Sequence, residues 1–578
     1  MSMFRRFARA TTVVAATFVS ACNASDSTGP SAPLPVLGLA VTATGSSTAR
    51  VTFSGRSGES YDIERAEGAA GTFATITTIA ALTADATTNY DDRGLTVTTL
   101  YRYRVTAIKN GARTPSAETS TTTLAFGSAV ARISTDITVS RTLFADTAYT
   151  LSGFIHVANG ATLTIQAGTT IKGDFETVGS TLMVLRGAKI QAVGTVKAPI
   201  VFTSSRAAGS RQPGDWGGLI LVGNAPDNRS GTVNVEGTGT SAGTTSGTNY
   251  LVQYNGGTVA TDNSGTLAYV RVEFGGYAPL QDQEFNSFTF AAIGSGTRAS
   301  YLESLAGLDD SFEFFGGGFD LDHLVAFETA DDMLDMSEGF SGRIQYVIAI
   351  NTVQLTPRTG AGFYSVDLQG FENDGCNGTG CDLGHGSQPY TIPLVANFTI
   401  IGCGQASCMG AGGGYGMMLR RGTGGYYVNG VIARWSTGAV SLRDPFTYTR
   451  AGSTATPSET ADLQMRNVLF AETNNLAFQA ASATQNVLDL TGNNLTLSTA
   501  TAASLFTAIP AVGSLATSIA AFDFTPTTGS PIASGGLATF TGSIAAKAGT
   551  FVTGTSYLGA AAPGGTKWWT GWTNYTRN

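Results

Sequence analysis

Short stretches of alternating apolar and polar residues, separated by turn residues, follow one another through nearly the whole chain. Leu37 to Ala43, Ala49 to Phe53, Ser60 to Glu64, Phe73 to Ile79 and Leu100 to Ile108 have this form, and a period of two predicts β-strands. Their spacing is that of a small sandwich over residues 34–124. From residue 125 the strands shorten, glycine and asparagine break them, and the pattern runs on to residue 578.

That second region repeats itself. Asn159 to Leu163 returns as Arg186 to Ile190 at an offset of 27, and a cleaner register follows at 22. Tyr301-Leu302-Glu303-Ser304-Leu305 lies on His323-Leu324-Val325-Ala326-Phe327, and Asp309-Asp310 lies on Asp331-Asp332. Beyond these, Phe312 meets Leu334 and Glu313 meets Asp335; a further 22 residues brings Gln345 under His323. A period near 22 holding three short strands is one coil of a parallel β-helix, with coils ~4.8 Å apart. The insertion Asn224 to Asn249, mostly Gly, Ser, Thr and Asn, reads as an exposed loop. The predicted fold class is all-β: a sandwich followed by a long right-handed parallel β-helix.

Composition narrows the function classes. Only 13% of residues are charged, 73 are glycine, and acids outnumber bases 41 to 33 for a net charge of −8. Lysine is absent between Lys197 and Lys547, so no basic surface for nucleic acid is expected. Residues 1–21 read as an export signal, with Arg5, Arg6 and Arg9 ahead of a short apolar stretch. Residues 22–33 read as a flexible tether. Cys376 with Cys381 and Cys403 with Cys408 form two equally spaced local pairs. In an oxidising compartment these are disulfides, within each pair or across the two; four thiolates with His385 are the metal-binding alternative.

Several segments resemble known families. Val19-Ser20-Ala21-Cys22 resembles a bacterial lipobox, which implies lipid on Cys22, attachment to the outer membrane through that lipid, and a surface-exposed chain. Tyr90 to Leu95 with Tyr101 to Ala107 resembles a fibronectin type III domain, with Tyr101 at its tyrosine-corner position and Phe53 where that family has tryptophan. Gly214-Asp215-Trp216-Gly217-Gly218, Tyr269 to Gly276, Asp309 to Gly317 and Trp568-Trp569-Thr570-Gly571-Trp572 are similar to bacterial cell-surface β-helix lipoproteins. That resemblance implies a right-handed β-helix at the cell surface and no particular reaction.

The acidic ladder is the strongest chemical signal. Stacked carboxylates ~5 Å apart repel by roughly 1 kcal/mol in water and 3 to 4 at an effective dielectric of 20. A calcium ion held by Asp309, Asp310, Glu313, Asp331, Asp332 and Asp335 would offset this. The alternative is that the aspartates are turn residues bonded to nearby amides, and Arg298 stacked on Asp320 would neutralise a separate acid. Polygalacturonases, which share the β-helix, carry Asp-Asp, Gly-His-Gly and Arg-Ile-Lys motifs. Here Asp309-Asp310, Gly384-His385-Gly386 and Arg343-Ile344-Gln345 occur in a different order, with Gln345 in the lysine place. Asp309, Asp310, Asp332, Arg343 and His385 are therefore the candidates for catalysis by a polysaccharide lyase or hydrolase. Trp568, Trp569 and Trp572 are expected to cap the open end of the solenoid, with stacking on sugar rings as the alternative. The leading expectation is a binding or structural module that engages glycans or other cell-surface material; a purely architectural role is the third.

Overall fold

The alternating segments near the start pair as antiparallel strands. Leu37–Ala43, Thr48–Gly55 and Ala86–Arg93 form one sheet, and Ala74–Ile79, Ser60–Glu67, Leu100–Lys109, Ala112–Pro115 and Thr119–Thr122 form the other. Their inward residues Val51, Phe53, Tyr61, Ile63, Tyr103 and Val105 are fully buried between the two sheets. Phe53 packs its ring 4.9 Å from that of Tyr61. The Thr96 amide donates to Tyr101 Oη at 2.9 Å, which fixes the corner. This is a fibronectin type III-like sandwich. The computed structural model describes residues 33–125, 129–240, 250–280, 283–357, 359–362, 367–409, 412–452, 458–479, 484–514 and 516–576, and divides the chain between Thr123 and Leu124. The predicted signal, Cys22 and the tether up to residue 32 lie outside the described residues.

The unit from Leu124 onward is a right-handed parallel β-helix. One parallel sheet has fifteen strands and a second has nine. Parallel strands bury both faces, which explains their long apolar runs. In the second sheet Phe288, Phe312, Leu334, Phe371, Met417 and Val440 occupy one inward column. Phe290 and Phe314 begin the next, and the facing rings stack at 5.1 and 5.3 Å. Each coil therefore buries its apolar residues against the coil below.

The register of 22 holds between Arg298–Gly307 and Asp320–Thr329, but the next step, to Arg343–Ile350, is 23. His323 consequently lies under Tyr346 and not under Gln345, which pairs with Asp322. Tyr269, Tyr301, His323 and Tyr346 form a stack with centroids 4.3, 4.3 and 4.8 Å apart. All four have φ between 52° and 66°, and Asn397, Asn429 and Asn467 continue the column at 54° to 58°. A left-handed bend suits asparagine and strains an aromatic residue; ring stacking offsets that strain. Arg298 does not neutralise Asp320. It donates to the carbonyls of Ser295 and Thr297, while Arg343 takes Asp320 with Nη2 to Oδ2 at 2.6 Å.

The C-terminal tryptophans do not cap the solenoid. The tail runs back along the outside of the fifteen-stranded sheet: Asn429 and Asn397 donate to Leu537 O and Thr555 Oγ1, and Arg271 donates to Trp572 O. Trp568 meets His323 edge-on at 4.8 Å, and Trp569 and Trp572 are buried. The core is closed at its end by Ala477, Phe478, Val487, Leu488 and Leu495 instead. The insertion beginning at Asn224 is not simply exposed either. Val235, Val252 and Tyr254 pack with Val222, Phe285 and Phe315, and Arg229 pairs with Glu338 at 3.0 Å. Two separate additions thus cover the helix flanks, which leaves an acidic cleft on the nine-stranded side.

Candidate functional site

At four successive turns into the second sheet, a side chain of the preceding coil accepts a backbone N–H that the ladder does not use. Asn286 Oδ1 accepts from Asp310 N at 3.0 Å, Asp310 Oδ1 from Asp332 N at 2.8 Å, Asp332 Oδ1 from Gln369 N at 2.7 Å, and Gln369 Oε1 from Tyr415 N at 3.0 Å. Asp310 and Asp332 are therefore structural turn residues. Yet Asn286 and Gln369 do the same work as neutral amides, so the fold does not require charge at the two positions between them.

A second acidic column stands beside the first. Glu313, Asp335 and Glu372 are paired in register on Phe312–Gly317, Leu334–Ser337 and Phe371–Asp374. The two columns, with Asp309 and Asp331 beside them, produce three overlapping groups, each offering oxygens within 4.8 Å of one another: Asp309 with Asp310 and Asp331, Asp310 with Glu313 and Asp335, and Asp332 with Asp335 and Glu372. Burial first, and then the neighbouring acids, push Asp309, Asp310, Glu313, Asp332 and Asp335 well above the carboxylate range. Glu372 is raised to about 8 by burial and by Asp374, with Arg420 acting against the shift. Asn286 donates to Glu313. Asp335 Oδ1 is buried without a hydrogen-bond partner.

A cleft of about 230 Å³ opens on these groups. Asp310, Asp331, Asp332, Asp335 and Glu372 line it, and Arg420 and Arg443 supply positive charge. Arg420 bonds Glu372 and, at 2.9 Å, Asp374. Burial opposes its charge, but the two carboxylates more than offset that and hold its pKa above the ordinary value. Arg443 donates to Ser441 Oγ at 2.9 Å and lies 5.9 Å from the Tyr415 ring. Carboxylates offer hard oxygen ligands suited to calcium, and the unpartnered Asp335 oxygen is what such an ion would engage. The residues present fit a divalent cation.

The six acids expected as ligands thus lie together, whereas Arg343 and His385 are elsewhere. Arg343 sits on the other sheet between Asp320 and Ala548 O. His385 lies in the turn Gly384–Gly386, with Nδ1 4.0 Å from Asp444 Oδ1 and its ring against Phe446. Neither lines the cleft. Cys376 is joined to Cys381 and Cys403 to Cys408, so the four sulfurs are disulfides within each pair and do not form a metal site with His385. Glu372, Arg420 and Arg443 were not expected. Residues 351–370 interrupt the period just before Glu372. The Phe371-Glu372-Asn373-Asp374 run, matched to Leu334-Asp335-Met336-Ser337, was the available signal.

Among the described residues no helix is long and apolar enough to cross a membrane. No curated protein sequence matches the chain. Among solved structures, an Fn3-like protein from Clostridium thermocellum is 35% identical over 16% of this chain and 92% of its own, with a TM-score of 0.14. A fibronectin type III domain of a human protein is 21% identical over 18% and 96%, TM-score 0.15. A family 28 exopolygalacturonase from Yersinia enterocolitica is 10% identical over 76% and 86%, TM-score 0.15. The pectate-lyase like beta helix domain matches residues 135–508, well over half the chain. With its stacked parallel coils, the chain belongs to the pectate-lyase-like β-helix family.

Proposed function

We propose that this protein is a calcium-dependent glycan-binding protein, exported and held at the outer membrane surface by lipid on Cys22. One observation carries the reading: Asp310 and Asp332 perform a backbone-capping job that Asn286 and Gln369 perform without charge. Charge that costs folding energy and is not needed by the fold is explained by a cation from outside. Asp309 with Asp310 and Asp331, Asp310 with Glu313 and Asp335, or Asp332 with Asp335 and Glu372 would hold it. A bound divalent ion offers its remaining coordination positions to carboxylate or hydroxyl oxygens of a glycan, and Arg420 and Arg443 stand in the same cleft to receive them.

Calorimetric titration of the chain lacking residues 1–22 with calcium, followed by retention of a polysaccharide with and without chelator, tests the reading. Calcium-dependent retention of an unshortened polymer is expected. The absence of calcium binding, or retention equal in chelator, overturns it. Incorporation of labelled lipid should disappear in Cys22→Ala.

A second reading is cleavage in the same cleft, favoured by Arg443, which has no carboxylate within ion-pair distance among the described residues and stands beside the acids. In a lyase Arg443 would neutralise the uronate carboxylate, a cleft carboxylate would take the proton from the carbon beside it, and expulsion of the glycosidic oxygen would release unsaturated products; a hydrolase would release reducing ends. Either product from the purified chain would replace binding with catalysis.

A further inference from the structure

A second cleft, of about 260 Å³, lies at the far end of the β-helix between its last long strand, Leu463–Ala471, the turn at 491–494 and the returning C-terminal tail. Its chemistry is unlike that of the acidic cleft. Arg466 stands in it, and every hydrogen-bond partner of its guanidinium is neutral: Asn493 Oδ1, Gly492 O at 3.4 Å and Gln464 Oε1 at 3.3 Å. No carboxylate approaches within 4.0 Å among the described residues, whereas most arginines of this chain are ion-paired. Burial holds the Arg466 pKa below its ordinary value, and Glu459 offsets only part of this.

The surrounding amides are fixed before any ligand arrives. Gln464 Nε2 donates to Ala461 O at 2.9 Å, Asn493 Nδ2 to Asn486 O at 2.6 Å, and Asn467 Nδ2 to Gly535 O at 2.8 Å. A guanidinium held in place by neutral acceptors loses little freedom on binding, which favours affinity for a bidentate oxyanion. Thr491 and Thr541 add hydroxyl groups to the lining, Leu537 and Ile544 add an apolar patch, and Glu459 adds a single carboxylate that lies beyond ion-pair distance of Arg466. That combination matches a hydroxylated carbon skeleton carrying one acid group. The volume suits a single ring or a short open chain.

We propose that the Arg466 cleft is a metal-independent binding site for a carboxylate on a hydroxylated skeleton, whether the acid end of a saccharide or a free hydroxy acid. It is separate from the calcium reading, because it contains no carboxylate cluster and needs no ion.

Titration of the whole chain in chelator with glucuronate, gluconate, glucose and sulfate is the test. Glucuronate or gluconate should bind at least tenfold more tightly than glucose and than sulfate; glucuronate alone identifies the saccharide source, and gluconate as well identifies the free acid. Arg466→Gln should weaken that binding at least tenfold, and Asp310→Asn with Asp335→Asn should leave it unchanged. Lack of binding by both acids in the unaltered chain, glucose binding as tightly, or sulfate binding as tightly overturns the proposal. Because the four-ligand comparison uses the unaltered chain, it decides the matter even if the variant misfolds.

Discussion

The fibronectin-like unit and the acidic cleft of the β-helix handle carboxylates in opposite ways. In the first, Asp62, Glu64, Asp91 and Asp92 each face an arginine: Arg113, Arg104 at 3.0 Å, Arg50 at 2.7 Å and Arg65 at 2.9 Å. Arg104 beside Glu64 and Arg50 beside Asp91 hold those carboxyls below their ordinary range. At Asp62 burial acts upward, but bonds from Thr78 and Arg113 outweigh it. In the second, Asp309, Asp310, Asp332 and Asp335 face one another and are pushed up. A unit whose charges close on themselves suits a spacer. A cleft whose charges do not is poised to take a partner from solution.

The contrast can be broken most sharply at Asp92, which receives Arg65 and the Tyr103 hydroxyl at 2.8 Å. Asp92→Ala should destabilise the first unit by about 3 kcal/mol, because it leaves buried donors unpaired; chemical denaturation followed by tyrosine fluorescence measures it. Calcium at a hundredfold excess over its Kd should stabilise the β-helix by about 2.7 kcal/mol. Calorimetry should show that gain in the β-helix transition and none in that of the first unit.

The pH response should also differ in sign. Glu372 is raised from 4.5 to about 8, so in chelator its contribution is fully present below its unfolded value and is lost as pH rises through about 8. The slope is at most about 1.4 kcal/mol per pH unit for each proton. Glu64 and Asp91, being lowered, contribute above their unfolded values and lose that contribution as pH falls. Since ligands must be deprotonated to bind metal, calcium affinity should rise over the same range in which the chelated β-helix weakens. Melting curves from pH 4.5 to 8.5, with and without calcium, read both. The smallest effect is expected from Asp335→Asn in chelator at pH 8, which relieves repulsion and should stabilise by about 1 kcal/mol while reducing the calcium-induced gain.

Much of this site was legible in the sequence, and the losses have identifiable causes. Asp309, Asp310, Glu313, Asp331, Asp332 and Asp335 fall in two successive coils of equal length, so counting residues puts them in columns. Glu372 lies past the interruption at 351–370, where counting fails. A single extra residue between Asp320–Thr329 and Arg343–Ile350 moved Tyr346, not Gln345, under His323. Arg343 and His385 were drawn toward the acids by motif likeness, and the structure holds each against a different partner.

The sequence by itself determined the all-β character, the stacking of parallel coils and, across the one step of 22 residues from Asp309 to Asp331, the acidic columns, because these follow from local periodicity and each coil meets only its neighbours. Only the tertiary structure decided where the insertion and the tail lie. Contacts such as Asn574 with Glu303, or Arg229 with Glu338, join residues far apart in the chain, and their partners are chosen by surface fit. No local pattern encodes that choice, yet it decides which flank of the helix stays open and hence where the cleft is.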